Sequence, residues 1–251
     1  MNLITPVFQT PSLTACFTTR HGGISKAPFD SLNLAFHVND NPTDVHQNHL
    51  LLAKELHYGA DKLIYMRQIH SDSVVIINEE MDFNSPPECD ALITNRPNTP
   101  LMVMSADCTP ILVYDRTHNA IAAIHAGRIG ALDEILPKTL HAMKIEYGTT
   151  VEDIMVLLGP SIHGCCYEVN ETIARLTVEK GYEKALRREE TKVFLDVNTI
   201  LLLQLKSLEV KIERIEVINH CTSCQCDTYF SYRADAQHTG RIAGVIMLRS
   251  S

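Results

Sequence analysis

The sequence predicts an α+β fold, a single domain over residues 1–251 built on a mixed β-sheet with flanking helices. Three observations predict it. Apolar runs of strand length crowd the middle of the chain at 101–104, 111–114 and 120–124. Residues 115–119 join the last two as a hairpin, while other strand-like runs interleave with helical stretches, a mixture unlike a doubly wound parallel sheet. Composition is even from end to end, with no repeat, low-complexity run or long linker.

The elements follow in order. Residues 15–19 alternate and read as a strand that ends at Arg20-His21-Gly22-Gly23, where two glycines permit a turn. Asn41-Pro42-Thr43-Asp44 starts a helix: Asn41 caps it, Pro42 suits the first turn and Asp44 complements the dipole. That helix runs to His57 with Val45, Leu52 and Leu56 inward, and His46 and His49 on a solvated face. Strands at 62–66 and 74–77 flank Gln68-Ile69-His70, and 90–94 is another. After the hairpin, 131–147 reads as one helix stopped by Gly148. A strand at 154–158 closes at Gly159-Pro160. Asn170 caps a helix carrying Ile173, Leu176 and Val178, Asp196 caps another through Leu208, and 213–218 and 241–248 are late strands.

Bulk properties narrow the functional classes. With 251 residues and 45% apolar content the chain can bury a substantial core. A net charge of −8 disfavours a nucleic-acid partner, although local arginines can still hold a small anion. There is no apolar stretch of membrane-spanning length and no signal-peptide pattern at the start, so a cytoplasmic protein without a membrane partner is expected. Its eight cysteines should then be reduced: buried, reactive or metal-bound.

Three reactive side chains stand at the ends of apolar runs among small neighbours: His70 in Arg67-Gln68-Ile69-His70-Ser71, Cys108 in Ala106-Asp107-Cys108-Thr109-Pro110, and His125 in His125-Ala126-Gly127. Strand ends put side chains at a sheet rim, where a pocket can form. Two imidazoles and a thiolate suit Zn²⁺ with a fourth position open to water. The competing reading is a buried structural cysteine and two unrelated histidines, because no short ligand motif ties the three together.

The motifs Thr19-Arg20-His21-Gly22-Gly23-Ile24-Ser25, Gln68-Ile69-His70, Ala106-Asp107-Cys108-Thr109-Pro110, His125-Ala126-Gly127 and Gly159-Pro160-Ser161-Ile162, followed by Cys166-Tyr167-Glu168-Val169, occur in that order. From about Phe17 to Leu248 the chain resembles the YfiH/YlmD family, also called multicopper polyphenol oxidase or laccase-domain proteins. The resemblance implies an α+β domain related to the cytotoxic necrotizing factor fold, and a zinc site at His70, Cys108 and His125. It also implies phosphorolysis of adenosine, inosine, guanosine and methylthioadenosine, with adenosine deamination beside it. Older family names imply copper instead, and bacterial members are also named peptidoglycan editing factors. One departure stands out: where the family continues His-Ala-Gly with Trp-Arg-Gly, this chain has Arg128-Ile129-Gly130, and it contains no tryptophan.

On this reading the partners are a purine nucleoside and phosphate, and the chain is a monomer or small homo-oligomer. Asp107 is the expected proton shuttle for deamination. Arg20 on its glycine turn, with Arg241 behind it, is expected to hold phosphate, and Gln68 joins them as a substrate-binding candidate. Three other readings stay open: a copper oxidase of phenols, a metal-free Cys108–His125 hydrolase acting on cell-wall precursors, and a non-catalytic binding domain. Cys221, Cys224 and Cys226 offer a CxxC spacing but no second ligand pair nearby, so a second metal is not expected, and at least one of Cys165 and Cys166 is read as packing.

Overall fold

The computed structural model describes residues 4–77, 81 and 83–250. Its first half contains strands β1 (Ile4–Thr10) and β2 (Leu13–Thr18), helix α1 (Pro42–Glu55), and strands β3 (Ile64–Tyr65), β4 (Val74–Ile76), β5 (Ala91–Thr94), β6 (Leu101–Ser105), β7 (Thr109–Asp115) and β8 (Ala120–Ala126). Helices α2 (Arg128–Leu132) and α3 (Ile135–Tyr147), strands β9 (Ile154–Leu158) and β10 (Glu168–Val169), and helix α4 (Glu171–Glu179) follow. Strands β11 (Leu186–Glu189) and β12 (Lys192–Leu195), helix α5 (Val197–Ser207), and strands β13 (Ile215–Val217) and β14 (Ile242–Leu248) complete the chain.

The strands form a mixed five-stranded sheet in the order β1-β2-β14-β6-β3, a mixed six-stranded sheet in the order β13-β9-β7-β8-β5-β4, and a small sheet β10-β12-β11. Alternation along each strand explains the stacking. Leu92, Leu112, Ile121, Ala123 and Leu157 of the six-stranded sheet meet Leu13, Ala15, Phe17, Val103 and Ile246 of the five-stranded one. The opposite faces are covered by helices. Leu52 of α1 and Leu56 at its C-cap lie on Cys16, Met102 and Val245, while Leu136 and Met143 of α3 and Leu201 of α5 lie on Ile111, Val113 and Ile124. The order is helix, sheet, sheet, helix. Strands buried on both faces must be apolar throughout, which is why 101–104, 111–114 and 120–124 read as continuous runs.

The α+β expectation therefore holds, and so do its local signals. Asn41, Asn170 and Asp196 each accept a hydrogen bond from an amide of the first helical turn. Asp115 builds the β7–β8 turn by accepting from the amides of Thr117 and His118 and from the His118 ring. Gly148 ends α3 at φ +78°.

Four expectations need correction. The helix read over 131–147 is two helices, broken at Asp133-Glu134, where Glu134 takes φ +66° without a glycine or proline to signal it. The strand read over 62–66 pairs only at Ile64–Tyr65. In α4 the buried residues are Ala174 and Thr177, whereas Leu176 and Val178 face outward; the helix lays its small side chains on the sheet. His49 is not on a solvated face. It is buried, stacked on Phe36 at 5.3 Å with Phe83 edge-on, and its Nε2 lies 2.9 Å from the Leu34 carbonyl.

His49 has a consequence for stability. Nε2–H donates to Leu34, and Nδ1 is buried with no partner, so the ring sits neutral and burial lowers its pKa to about 4. Between pH 6.5 and 4 the unfolded chain binds a proton here that the folded chain refuses. Stability is therefore flat above that window and falls as pH drops through it, by about 3 kcal/mol in all. Urea melts of wild type and His49→Gln across pH 4–7 should differ in this slope, which the variant should lose.

Candidate functional site

The chain crosses from the five-stranded to the six-stranded sheet twice, once from β3 to β4 and once from β6 to β7. His70 lies in the first crossing and Cys108 at the end of the second, so both come to the rim between the sheets. Register brings the third residue. Thr109 pairs with Ala126 and Pro110 with His125, which sets Cys108 beside the end of β8.

The three predicted ligands converge. Coordinating atoms of His70, Cys108 and His125 all lie within 4.8 Å of one another, with Cys108 Sγ 4.0 Å from His70 Nε2. The two rings meet edge to face, 4.9 Å between centroids at 89°. A Cβ on Gly127 would stand 3.1 Å from both Cys108 Sγ and His70 Cδ2, so the glycine keeps the space beside the three open. His70 itself adopts φ +58°, a strained turn that aims its ring inward.

A residue with no role in the sequence reading holds this geometry. Ala91 pairs with Ile124, so Asp90, just before β5, falls opposite His125. Its fully buried carboxylate accepts from His125 Nδ1 at 2.8 Å, from the His70 amide at 3.1 Å, and from the Ser71 amide and hydroxyl at 2.6 and 2.8 Å. With its Nδ1–H donated to Asp90, His125 turns Nε2 to the centre, where that nitrogen can give up its proton to a metal, a carboxylate–histidine support typical of metal ligands. The signal in the sequence was an acid at the head of the apolar run Ala91-Leu92-Ile93, where a buried charge needs partners.

The electrostatics favour charged ligands. Burial raises the Cys108 pKa, but His125 and then His70 outweigh it and bring the thiol down to about 6. Burial lowers that of His125, yet Cys108 and Asp90 hold it up at about 9. The donor set of two imidazoles and one thiolate, with a supported tautomer and a cleared space, fits a zinc ion with one open position.

The centre lies on a cavity of about 490 Å³, a size suited to a small organic ligand. Tyr167, Tyr232, Ile162 and Met104 provide apolar wall, and His37, Arg128, Arg233 and Arg241 provide nitrogen donors. Arg233 is anchored to the carbonyls of Cys166 and Glu168, and Arg241 to those of Thr239 and Gly240. Arg128 lines the cleft with no hydrogen bond or ion pair to the other described residues.

The remaining predicted residues divide. Gln68 and Arg241 line the cleft; Gln68 spends both ends of its amide on the Met104 backbone, at 2.8 and 2.9 Å. Asp107 also borders it, at φ +92°, but its carboxylate accepts from Thr222 Oγ1, Ser231 Oγ and the Arg233 amide at 2.7–2.8 Å. Arg20 is not brought to the cleft. Its guanidinium donates to the carbonyls of Asp30 and Cys226, stacks on Phe230 at 4.7 Å and pairs with Asp30 and Asp235.

Replacing Asp90 with Asn should weaken the affinity of the three-residue centre for an added divalent metal ion about 10–100-fold, because both the His125 ring and the His70 loop lose their support. Competition titration with a chromophoric chelator would measure it, and unchanged affinity would contradict the support role.

Sequence comparison matches residues 14–249 to the family described as multi-copper polyphenol oxidoreductase laccase. A purine nucleoside phosphorylase of Corynebacterium glutamicum is 40% identical, over 92% of this chain and 93% of its own length. The purine nucleoside phosphorylase YfiH of Escherichia coli is 33% identical over 98% of both chains. Among solved structures, the hypothetical protein YfiH of Bacillus licheniformis superposes with a TM-score of 0.93 at 28% identity, covering 99% of this chain and 97% of that one. YlmD of Geobacillus stearothermophilus gives 0.90 at 27% identity, covering 98% and 100%.

Proposed function

This chain belongs to the multi-copper polyphenol oxidoreductase laccase family, and we propose that within it the chain is a zinc-dependent purine nucleoside phosphorylase. The convergence of His70, Cys108 and His125 on one cleft beside an unengaged arginine carries the reading; relatives named purine nucleoside phosphorylase supply the substrate class. Adenosine, inosine, guanosine and methylthioadenosine are the proposed nucleosides, and hydrolytic deamination of adenosine at C6 is a second proposed outcome at the same centre. With all eight cysteines free, a reducing cytoplasmic setting suits the protein. Among the described residues no helix is long and apolar enough to cross a membrane.

In phosphorolysis a phosphate oxygen attacks C1′ of the ribose, the C1′–N9 bond breaks, and the purine leaves with the bonding electrons and a proton. Arg128 is our phosphate ligand in place of Arg20, whose guanidinium is committed elsewhere; Arg241 lines the same cavity. Tyr167 and Tyr232 line the cavity, each with one ring face against a guanidinium, Arg233 and Arg241 respectively, and are our aromatic contacts for the purine. A zinc ion on the three ligands would supply a Lewis acid with an open position. Asp107 serves position, since its three hydrogen bonds hold the turn that carries Cys108.

One observation favours a second reading. Asp90, His125 and Cys108 also line up as carboxylate, imidazole and thiolate, the arrangement of a cysteine hydrolase. Zinc decides between them, because a ligated sulfur is no nucleophile. Stripped protein should be alkylated at Cys108 by iodoacetamide and protected on adding excess zinc; alkylation undiminished by zinc would favour the hydrolase. A multicopper oxidase would need several histidine-rich centres, and among the described residues only one potential metal group contains more than one histidine.

Purified protein given inosine and phosphate should release hypoxanthine and ribose 1-phosphate. Cys108→Ala should lower kcat/KM at least about 100-fold, about 3 kcal/mol of transition-state stabilisation. Arg128→Ala should raise the KM for phosphate about tenfold, the loss of one charge-assisted contact, and leave zinc content unchanged. Release of free base without any dependence on phosphate would overturn the phosphorylase reading.

A further inference from the structure

The fold assembles a four-thiol cluster that the cleft chemistry does not use. Cys165 and Cys166 lie in the loop between Ser161 and β10, and Cys221 and Cys224 form a CxxC turn after β13. The sequence alone shows no second pair of ligands for that turn; the fold provides it from 58 residues upstream. One sulfur each from Cys165, Cys166, Cys221 and Cys224 lies within 4.8 Å of the others, with Cys224 Sγ 3.6 Å from Cys165 Sγ and 3.3 Å from Cys166 Sγ.

The spacing discriminates between chemistries. A disulfide needs sulfurs about 2.05 Å apart. Four thiolates around one zinc at about 2.3 Å, arranged tetrahedrally, stand about 3.8 Å from one another. The separations of 3.3 and 3.6 Å are too long for a bonded pair and close to the second. The Cys221 sulfur also accepts from the amides of His163, at 3.5 Å, and of Cys224, the bonds a thiolate in such a turn attracts. Cys226 stands outside the cluster and supplies a carbonyl to Arg20 instead.

We propose that Cys165, Cys166, Cys221 and Cys224 bind a structural zinc ion, distinct from the one at His70, Cys108 and His125. Binding is not a redox step: four thiols give up four protons, and one Zn²⁺ takes four sulfur ligands. The ion staples two loops that already meet through a backbone bridge between Ser161 and Cys221. Those same loops seat the Asp107 turn, because Thr222 Oγ1 donates to the Asp107 carboxylate and the Ile162 amide to its carbonyl. The staple therefore braces the wall from which Cys108 projects.

The test is metal stoichiometry in the full chain, purified under reducing conditions with zinc present and then desalted. Wild type should carry two zinc ions per chain by elemental mass spectrometry, and Cys108→Ala one. In Cys108→Ala, stripping with a chelator should expose four further thiols to alkylation, mapped by peptide mass to Cys165, Cys166, Cys221 and Cys224, with Cys226 unchanged as the internal reference. Cobalt loaded into that variant should give intense thiolate-to-metal charge-transfer absorption, lost in Cys165→Ser/Cys224→Ser. No metal in Cys108→Ala, or a disulfide joining Cys224 to Cys165 or Cys166, would overturn the proposal; a single zinc in wild type that persists in Cys108→Ala would count against zinc in the cleft instead. The outcome is independent of the nucleoside reading, since it is read in a variant that lacks the cleft sulfur.

Discussion

The site depends on one buried carboxylate. Asp90 is fully removed from solvent, and desolvation alone would raise its pKa, yet hydrogen bonds from His125 and Ser71 reverse that and keep it ionised. Bonds to the same carboxylate add to the strand pairing and fix the loop of His70 against His125 of β8. A buried charge without partners is costly. The fold therefore gains most when both histidines are where Asp90 needs them, and the ligand geometry is a by-product of satisfying that charge.

The two-sheet architecture sets where this can happen. Strands buried on both faces leave no room for polar chemistry along their length, so reactive groups collect where the chain leaves one sheet for the other. Both crossings end at the same rim, and small residues there, Ala106 and Gly127, leave the volume a ligand would fill. The cleft is a consequence of how two apolar layers exchange strands.

Much of this was legible in the sequence, for reasons that differ by element. Caps at Asn41, Asn170 and Asp196 and the Asp115 turn act over three or four residues, so local chemistry reveals them. His70, Cys108 and His125 were legible as polar ends of apolar runs, and the family resemblance joined them. What escaped depends on distant partners. His49 is buried only because Phe36 and Phe83 close over it, the pairing of β10 with β12 joins two- and four-residue strands without a periodic pattern, and Asp90 gains its role through strand register. Arg20 misled for the opposite reason: a glycine turn suggests an anion site, but here the neighbouring carbonyls and acids already consume its donors.

The same logic connects the thiol cluster to the cleft. Cys108 is fixed by a short turn whose Asp107 adopts a left-handed backbone, a conformation that persists only when its surroundings hold it. Those surroundings are Thr222, Ser231 and Arg233, all from one irregular segment between β13 and β14. Irregular segments lack a hydrogen-bond ladder and open easily. A staple between Cys165, Cys166, Cys221 and Cys224 would cross-link that segment to the loop after β9, next to the residues that grip Asp107. In that position it would reinforce a part of the cleft wall that lies outside both large sheets.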